Sequence, residues 1–273
     1  MDSTPEETIR LLHYCLLIGG VILIYGIENR YPLTAIPAFR DRVGHAGANL
    51  GLWLFSLILV DLGLGAFLNQ QPLLDHLANQ GFLASLGLPS FWLILISLLI
   101  LDLAGYTIHY LLHRLPWLWT FHSVHHSDPE LDISTSFRFH PGEALTGLLW
   151  LMLIIAVFGI PVWLIALRSL IILPLSLMHH ANVTIPDPIE RSLRLVLVTP
   201  GLHKIHHSPR QPETDSNYGL FLSVWDRLFG TLHPGPLAAG PRYGLSYLGD
   251  TKWQSVWGML RTPWSGIFSS RNI

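Results

Sequence analysis

Charge is what this sequence has least of. Lys, Arg, Asp and Glu make up 12% of its 273 residues, against about 25% in an ordinary soluble domain. So few charges exclude a conventionally solvated surface. With 50% hydrophobic residues and a mean hydropathy of +0.42, the chain is expected in a bilayer. A net charge of −2 without any block of Lys or Arg excludes the basic footprint of a nucleic-acid binder. The single cysteine, Cys15, lies inside an apolar run, which excludes a disulfide framework and any thiolate or iron–sulfur site. The acidic first residues Asp2, Glu6 and Glu7, with no small-residue cleavage site after the apolar run, do not read as a cleaved signal peptide. No solenoid-type repeat is visible.

What the chain has in quantity is apolar runs. Residues 8–27, 47–68 and 90–108 are each about long enough to span a bilayer as a helix. Residues 144–160 and 162–178, split by Gly159-Ile160-Pro161, are at or just under that length and read as a short hairpin that crosses or re-enters. Lone polar residues sit within these runs: His13, expected to face another helix or the interface; Asp61, expected to face the protein interior; and Arg168, expected to snorkel or line a polar cavity. The links 28–46 and 69–89 carry His45 and His76, read as an interfacial and a solvated residue.

The expected fold is therefore an all-α integral membrane protein, with about three full transmembrane helices plus a short helical hairpin and a helical cap. It forms one domain over residues 1–273, with spans one to three in 8–113, the hairpin in 144–178, and the cap in 114–143 and 179–273. Basic residues set its orientation. The link 28–46 holds Arg30, Arg40 and Arg42, the link 69–89 holds none, and the stretch 179–273 holds nine of the sixteen Lys and Arg. By the positive-inside rule the cap is expected on the cytoplasmic side.

Histidine is the other abundant residue, with 15 in all. H-Y-L-L-H places His109 and His113 at the end of the third run. H-S-V-H-H supplies His122, His125 and His126, and H-K-I-H-H supplies His203, His206 and His207. Spacings of three and four residues put side chains on one side of a helix, so each set can aim its imidazoles at one region. Three such sets exceed the four ligands of a closed structural zinc site, and a site for two metal ions is expected. Imidazole suits Zn, Cu, Fe and Ni alike. Two irons would use this number of histidines and leave room for dioxygen. A membrane zinc metallohydrolase is the alternative, weakened because no acid lies within the three sets to act as general base. A metal transporter is disfavoured because its ligands belong at mid-membrane depth. Asp102, two helical turns before His109, either fixes a histidine tautomer or marks the end of the span.

The order HYLLH, HSVHH, HKIHH, with its spans so placed, resembles the fatty acid hydroxylase and sterol desaturase superfamily. F-R-F-H-P-G-E at 137–143, M-H-H-A-N-V at 178–183, N-Y-G at 217–219 and W-D-R-L-F-G-T at 225–231 strengthen the likeness, which covers roughly residues 90 to 235. The resemblance implies a non-haem di-iron centre (two Fe ions) that uses O2 to hydroxylate or desaturate an unactivated C–H bond in a lipid, sterol or similar substrate. It also implies a separate electron-donor protein. By position, His109, His113, His122, His125, His126, His203, His206 and His207 match the family's metal-binding histidines. His180 fits an additional ligand better than His179 does. Ser176 stands where the family's fatty acid 2-hydroxylases carry a further histidine, which argues against that branch. His140 is expected to support a ligand or meet substrate, while Glu143, Asp128 and Asp226 are candidates to hold ligand imidazoles through N–H···O bonds. Trp117, Trp119, Phe121, Phe137 and Phe139 line a substrate path or, as the favoured reading, form an interfacial belt.

Overall fold

In the computed structural model, residues 5–64, 71–235 and 243–265 are described. Helix α1 (Pro5–Arg30) is followed by α2 (Phe39–Ser56), which continues as a π-helical segment, Leu57–Leu64. Two short helices, α3 (Gln71–Gln80) and α4 (Phe82–Ser85), lead into α5 (Ser90–Arg114), α6 (Pro116–His126), α7 (Pro141–Phe158) and α8 (Val162–His180). Beyond them lie α9 (Asp187–Leu193), α10 (Pro200–His206), α11 (Val224–Leu228) and α12 (Val256–Arg261). No strand occurs among the described residues, only isolated bridges from Pro32 to Val183 and from Leu197 to Leu222.

Five of these helices are long and apolar enough to cross a membrane: α1, α2, α5, α7 and α8. Both arms of the hairpin qualify, so the count rises from about three plus a short hairpin to five. Much of their surface is exposed Leu, Ile and Val, such as Leu16, Ile22, Leu59 and Leu153, as expected where hydrocarbon and not water is the solvent. In the interior of a helix the backbone groups are satisfied within their own segment, and association then depends on close packing. The largest core is built where α5, α7 and α8 meet, around Leu101, Ala104, Ile154, Ile160 and Leu164.

Backbone chemistry marks the turns. Gly159 adopts φ +71° as the left-handed cap of α7, and Pro161 precedes the first turn of α8, so the chain reverses at one end of the bundle. Helices α6, α7 and α10 each carry Pro at their first position, Pro116, Pro141 and Pro200, where a missing N–H costs nothing. All three start at the opposite end, where the histidines lie.

Hydropathy misplaced two boundaries there. The third span runs on through His109 and His113 to Arg114, so HYLLH forms its last turns. The second begins at Phe39, not at residue 47. Two polar residues of its first two turns are paired and not solvated: Arg42 meets Glu28 at 2.6 Å and His45 meets Asp128 at 2.7 Å. His45 is therefore part of a buried network, not an interfacial residue. His76 is exposed on α3 beside Gln80, and His13 faces α8, 3.5 Å from the Ser169 hydroxyl. The side chain of Asp61 lies outside the described residues.

Candidate metal centre

Nine buried histidines converge at the capped end of the bundle, in two adjoining groups. One contains His109, His113, His122, His126 and His206; the other contains His125, His180, His203 and His207. Within each group the facing nitrogens all lie within 4.8 Å of one another. The groups touch: the His126 and His207 rings stack at 4.5 Å, and His125 lies 5.7 Å from His126. These are the nine histidines that spacing and resemblance had singled out, brought together from α5, α6, α8 and α10.

The outer ring nitrogens are fixed from outside. Nδ1–H of His109 donates to the Tyr218 carbonyl at 2.8 Å, and that of His206 to the Ser216 carbonyl at 2.7 Å. His125 donates to the Arg138 carbonyl and His180 to the Ser176 carbonyl. His122 meets the Glu143 carboxylate at 2.8 Å and His113 meets Asp215 at 3.2 Å. A carbonyl or carboxylate accepts only, so in the neutral ring the proton is held on Nδ1 and the Nε2 lone pair points inward.

Those inward nitrogens lack protein donors. Nε2 of His113, His122 and His206 has no partner, and His126 has none on either ring nitrogen. In the second group Nε2 of His125 and His180 face each other at 3.2 Å, and Nε2 of His180 and His203 at 2.9 Å. With Nδ1–H committed on His125 and His180, two lone pairs meet head-on, an arrangement that a cation between them turns from repulsive to attractive. Two nitrogens each about 2.1 Å from one ion at right angles stand about 3 Å apart, which is the spacing observed. Neutral imidazoles are also the binding form. Burial, reinforced by the neighbouring rings, holds His125, His126, His203 and His207 far below the usual imidazole range, and His206 down to about 3. The donor set therefore fits two metal ions.

The sequence stretches around the histidines build the supports. The N-Y-G segment presents the Ser216 and Tyr218 carbonyls, and Asp226 clamps it by accepting from the backbone N–H of Tyr218 and Gly219 at 2.8 and 2.9 Å. A Cβ at Gly219 would fall 2.9 Å from that carboxylate, so glycine permits the approach. Asp226 thus orients His109 through a loop and touches no imidazole. Glu143 acts as expected, on His122. Asp128 does not reach a histidine of either group; it binds His45, Asn49 and Thr135. Burial would raise its carboxyl, but Arg138 and His45 hold it well below the ordinary carboxylate range. Arg138, wholly buried, ties Val124, Asn49, Ser127 and Gln254 together, locking α6, α2 and the C-terminal segment around the site.

Three other expectations are corrected. Asp102 fixes no histidine tautomer; its Oδ2 accepts from the Trp225 indole at 2.8 Å and the Leu222 N–H at 3.2 Å, pinning the closing segment to α5. The Arg168 guanidinium lies against Gly105 of α5. His140 meets neither group: Nδ1 accepts from the Gly142 N–H, capping α7, and Nε2–H donates to the Leu260 carbonyl. His179 donates to the Val198 carbonyl at 3.0 Å. Of the aromatics, only Trp117 is exposed as a belt residue would be. Trp119 packs on His113 and His126, Phe121 on His140, Phe139 on His125, and Phe137 on Trp53. The carbonyl acceptors escaped sequence reading because a backbone oxygen carries no residue type, and Asp215 because it stands 102 residues from the His113 it meets. The one available signal was N-Y-G itself.

The chain is 33% identical over 162 residues to an ornithine lipid hydroxylase of Rhizobium tropici, covering 58% of this chain and 47% of that protein. It is 31% identical over 147 residues to an alkylglycerol monooxygenase of Danio rerio, covering 53% of this chain and 31% of the relative. With the cholesterol 25-hydroxylase of Mus musculus it shares 29% identity over 147 residues, 53% of this chain and 48% of the other. The chain thus spans less than half the length of each of these three relatives. No solved structure matches it. The fatty acid hydroxylase family model matches residues 94–231, just over half of the chain and every histidine of both groups, and the chain belongs to that family.

Proposed function

We propose that this protein is a di-iron, O2-dependent hydroxylase of a membrane lipid or similarly hydrophobic molecule. The observation that carries the reading is the division of nine buried histidines into two adjoining groups with no carboxylate in either. His109, His113, His122, His126 and His206 would hold one iron, and His125, His180, His203 and His207 the other. Bound there, the pair supplies activation of O2 for removal of hydrogen from an unactivated C–H bond. The names of the relatives, lipid and sterol hydroxylases and monooxygenases, favour hydroxylation over desaturation.

The chain's own residues orient and exclude. Six Nδ1–H bonds keep the Nε2 lone pairs turned inward, so little rearrangement is needed when metal binds. Tyr218, Trp119 and Phe139 seal the histidines with apolar surface, which shields a reactive centre from water. Electrons are supplied by a separate donor protein, and the positive-inside rule puts the site on the cytoplasmic face. Metal analysis of the purified protein tests the proposal, together with lipid-dependent O2 consumption. About two irons per chain and oxygen in the product are expected; stoichiometric zinc with hydrolytic turnover would overturn it.

A further inference from the structure

The histidine groups leave one large feature of the molecule unused. A cavity of about 1000 Å³ lies in the half of the bundle away from the metal centre, walled by Leu17, Trp53, Leu57, Leu83, Leu93 and Ala166 among others. That volume is at the upper end of what a bound small molecule occupies. We propose that it receives the hydrocarbon tail of the lipid substrate, so that the carbon presented to the histidines lies near the lipid's polar end and not its methyl end. The word substrate rests on the hydroxylase reading; occupancy of the cavity by a tail does not.

Four observations converge. First, the cavity is a wedge between two spans, α1 and α2, that are joined by an ion pair at the histidine end. There Arg42 joins Glu28 at 2.6 Å and stacks on Tyr25 at 4.3 Å. Farther down, α1 packs along α8, and among the described residues α1 and α2 make no extended contact. A gap between two spans opens onto bilayer, whose chains are the available occupant.

Second, two turns pack together at the far end. The α3–α4 turn lies on the α7–α8 turn backbone to backbone, since a Cβ on Gly81 would fall 1.9 Å from the Gly159 nitrogen. Leu74 and Ala78 of α3 pack on Ile155 beneath it. A chain entering from the side meets this packed backbone at the far wall.

Third, the lining offers a headgroup no opposite charge, its polar side chains besides His13 being neutral ones such as Tyr14, Asn79 and Ser169. His13 is its one titratable imidazole, and no acid, lysine or arginine lines it among the described residues. His13 already faces Ser169, whose own proton goes to the Ala166 carbonyl at 2.7 Å. A charged or zwitterionic end buried here would go uncompensated, so the polar end belongs at the other extremity of the molecule.

Fourth, the chamber and the metal centre share a wall. Trp53 sits edge-on to Phe137 at 5.6 Å, and the next residue, Arg138, gives its carbonyl to His125. Along α8, Ser169 precedes His180 by eleven residues, about 16 Å of helix. A lipid with its tail in the chamber and its headgroup beyond the histidines thus passes its first carbons by the four-histidine group.

Photolabelling in lipid nanodiscs tests this. The probes are two phosphatidylcholines with a diazirine either at the methyl end or beside the carboxyl of one chain, and peptide mapping follows irradiation. Methyl-end label is expected on the chamber walls of α1, α2 and α8, and carboxyl-end label near residues 131–139. Ala166→Phe should cut chamber labelling about tenfold, since overpacking costs about 1 to 3 kcal/mol and 1.4 kcal/mol is a factor of ten. Leu57→Ala, which enlarges the chamber, should keep or raise it, so a poorly folded Ala166→Phe protein does not leave the matter open. Reversal of the two labels would overturn the proposal, as would labelling indifferent to both substitutions. So would a photoreactive sterol that displaces the methyl-end label from the walls. Labelling needs neither iron nor turnover, so a failed iron assay with intact chamber labelling refutes the hydroxylase reading alone.

Discussion

Replacing Glu143 by glutamine separates a metal centre from a merely well-packed cluster of rings. Glu143 is buried, and its Oε1 lies 2.8 Å from Nδ1 of His122, the one carboxylate contact of this length in the five-histidine group. A carboxylate behind an imidazole fixes its tautomer and raises its basicity, and losing such a partner weakens metal binding about 10- to 100-fold, or about 1.4 to 2.7 kcal/mol. Glu143→Gln conserves shape and leaves an amide oxygen as acceptor, so the backbone and the other rings should stay in place. Chelator competition on purified protein loaded with Co(II) or Fe(II) reads the two groups as two binding steps. One step should weaken by that factor and the other, made by His125, His180, His203 and His207, should hardly move. Equal weakening of both steps, or none, would refute the assignment of His122 to a discrete five-histidine site. Loss of metal together with loss of the fold would show instead that Glu143 is structural, and circular dichroism of the metal-free variant distinguishes that case.

Three further outcomes follow from the same geometry. His125→Ala should abolish O2-dependent turnover while membrane insertion, followed by fractionation and carbonate extraction, stays normal; retained turnover would sink the ligand assignment. Asp226→Ala strands two buried backbone N–H groups, those of Tyr218 and Gly219, at about 1 to 3 kcal/mol each. Hydrogen exchange across residues 215–219 should accelerate, with the step assigned to His109 and His206 weakened before the fold is lost. In the metal-free protein, the His206 pKa of about 3 lies below the ordinary 6.5. Its contribution to stability is full above about pH 6.5 and is lost as pH falls toward 3, so the thermal unfolding temperature should drop steadily over that interval.

How much of this was readable in advance depends on where the information resides. The spans and the nine histidines are written in side-chain type and spacing, and the structure places them as a linear reading suggests. Span boundaries failed at Phe39 because hydropathy scores Arg42 and His45 as though they faced water, while Glu28 and Asp128 pair with them from distant segments. Asp102 looked like a partner for His109 because both lie on one helix face, yet Trp225, 123 residues on, takes the carboxylate. His140 shows the same limit. A histidine before proline can cap a helix or aim at a metal, and only the Leu260 carbonyl decides for the cap.

The repeated H-x-x-H-H is more than an echo. In α6 its first and last histidines, His122 and His126, go to the five-histidine group and the middle one, His125, to the other. The second copy, at α10, does the reverse: His203 and His207 go to the four-histidine group and His206 crosses over. Helix geometry explains the split, because residue i+4 lies about 40° from residue i while i+3 lies about 60° away on the opposite side. Two such helices facing each other each hand one imidazole to the partner's site, so neither site is complete without the other helix. His109 and His113 on α5 raise the first group to five, and His180 on α8 raises the second to four. With Ser176 one turn before His180, the second group gains no fifth imidazole from α8, and it is the one that adjoins Phe139, Phe137 and the wall of the chamber. The group with fewer histidines is thus the one that faces the chamber proposed above to hold a lipid tail.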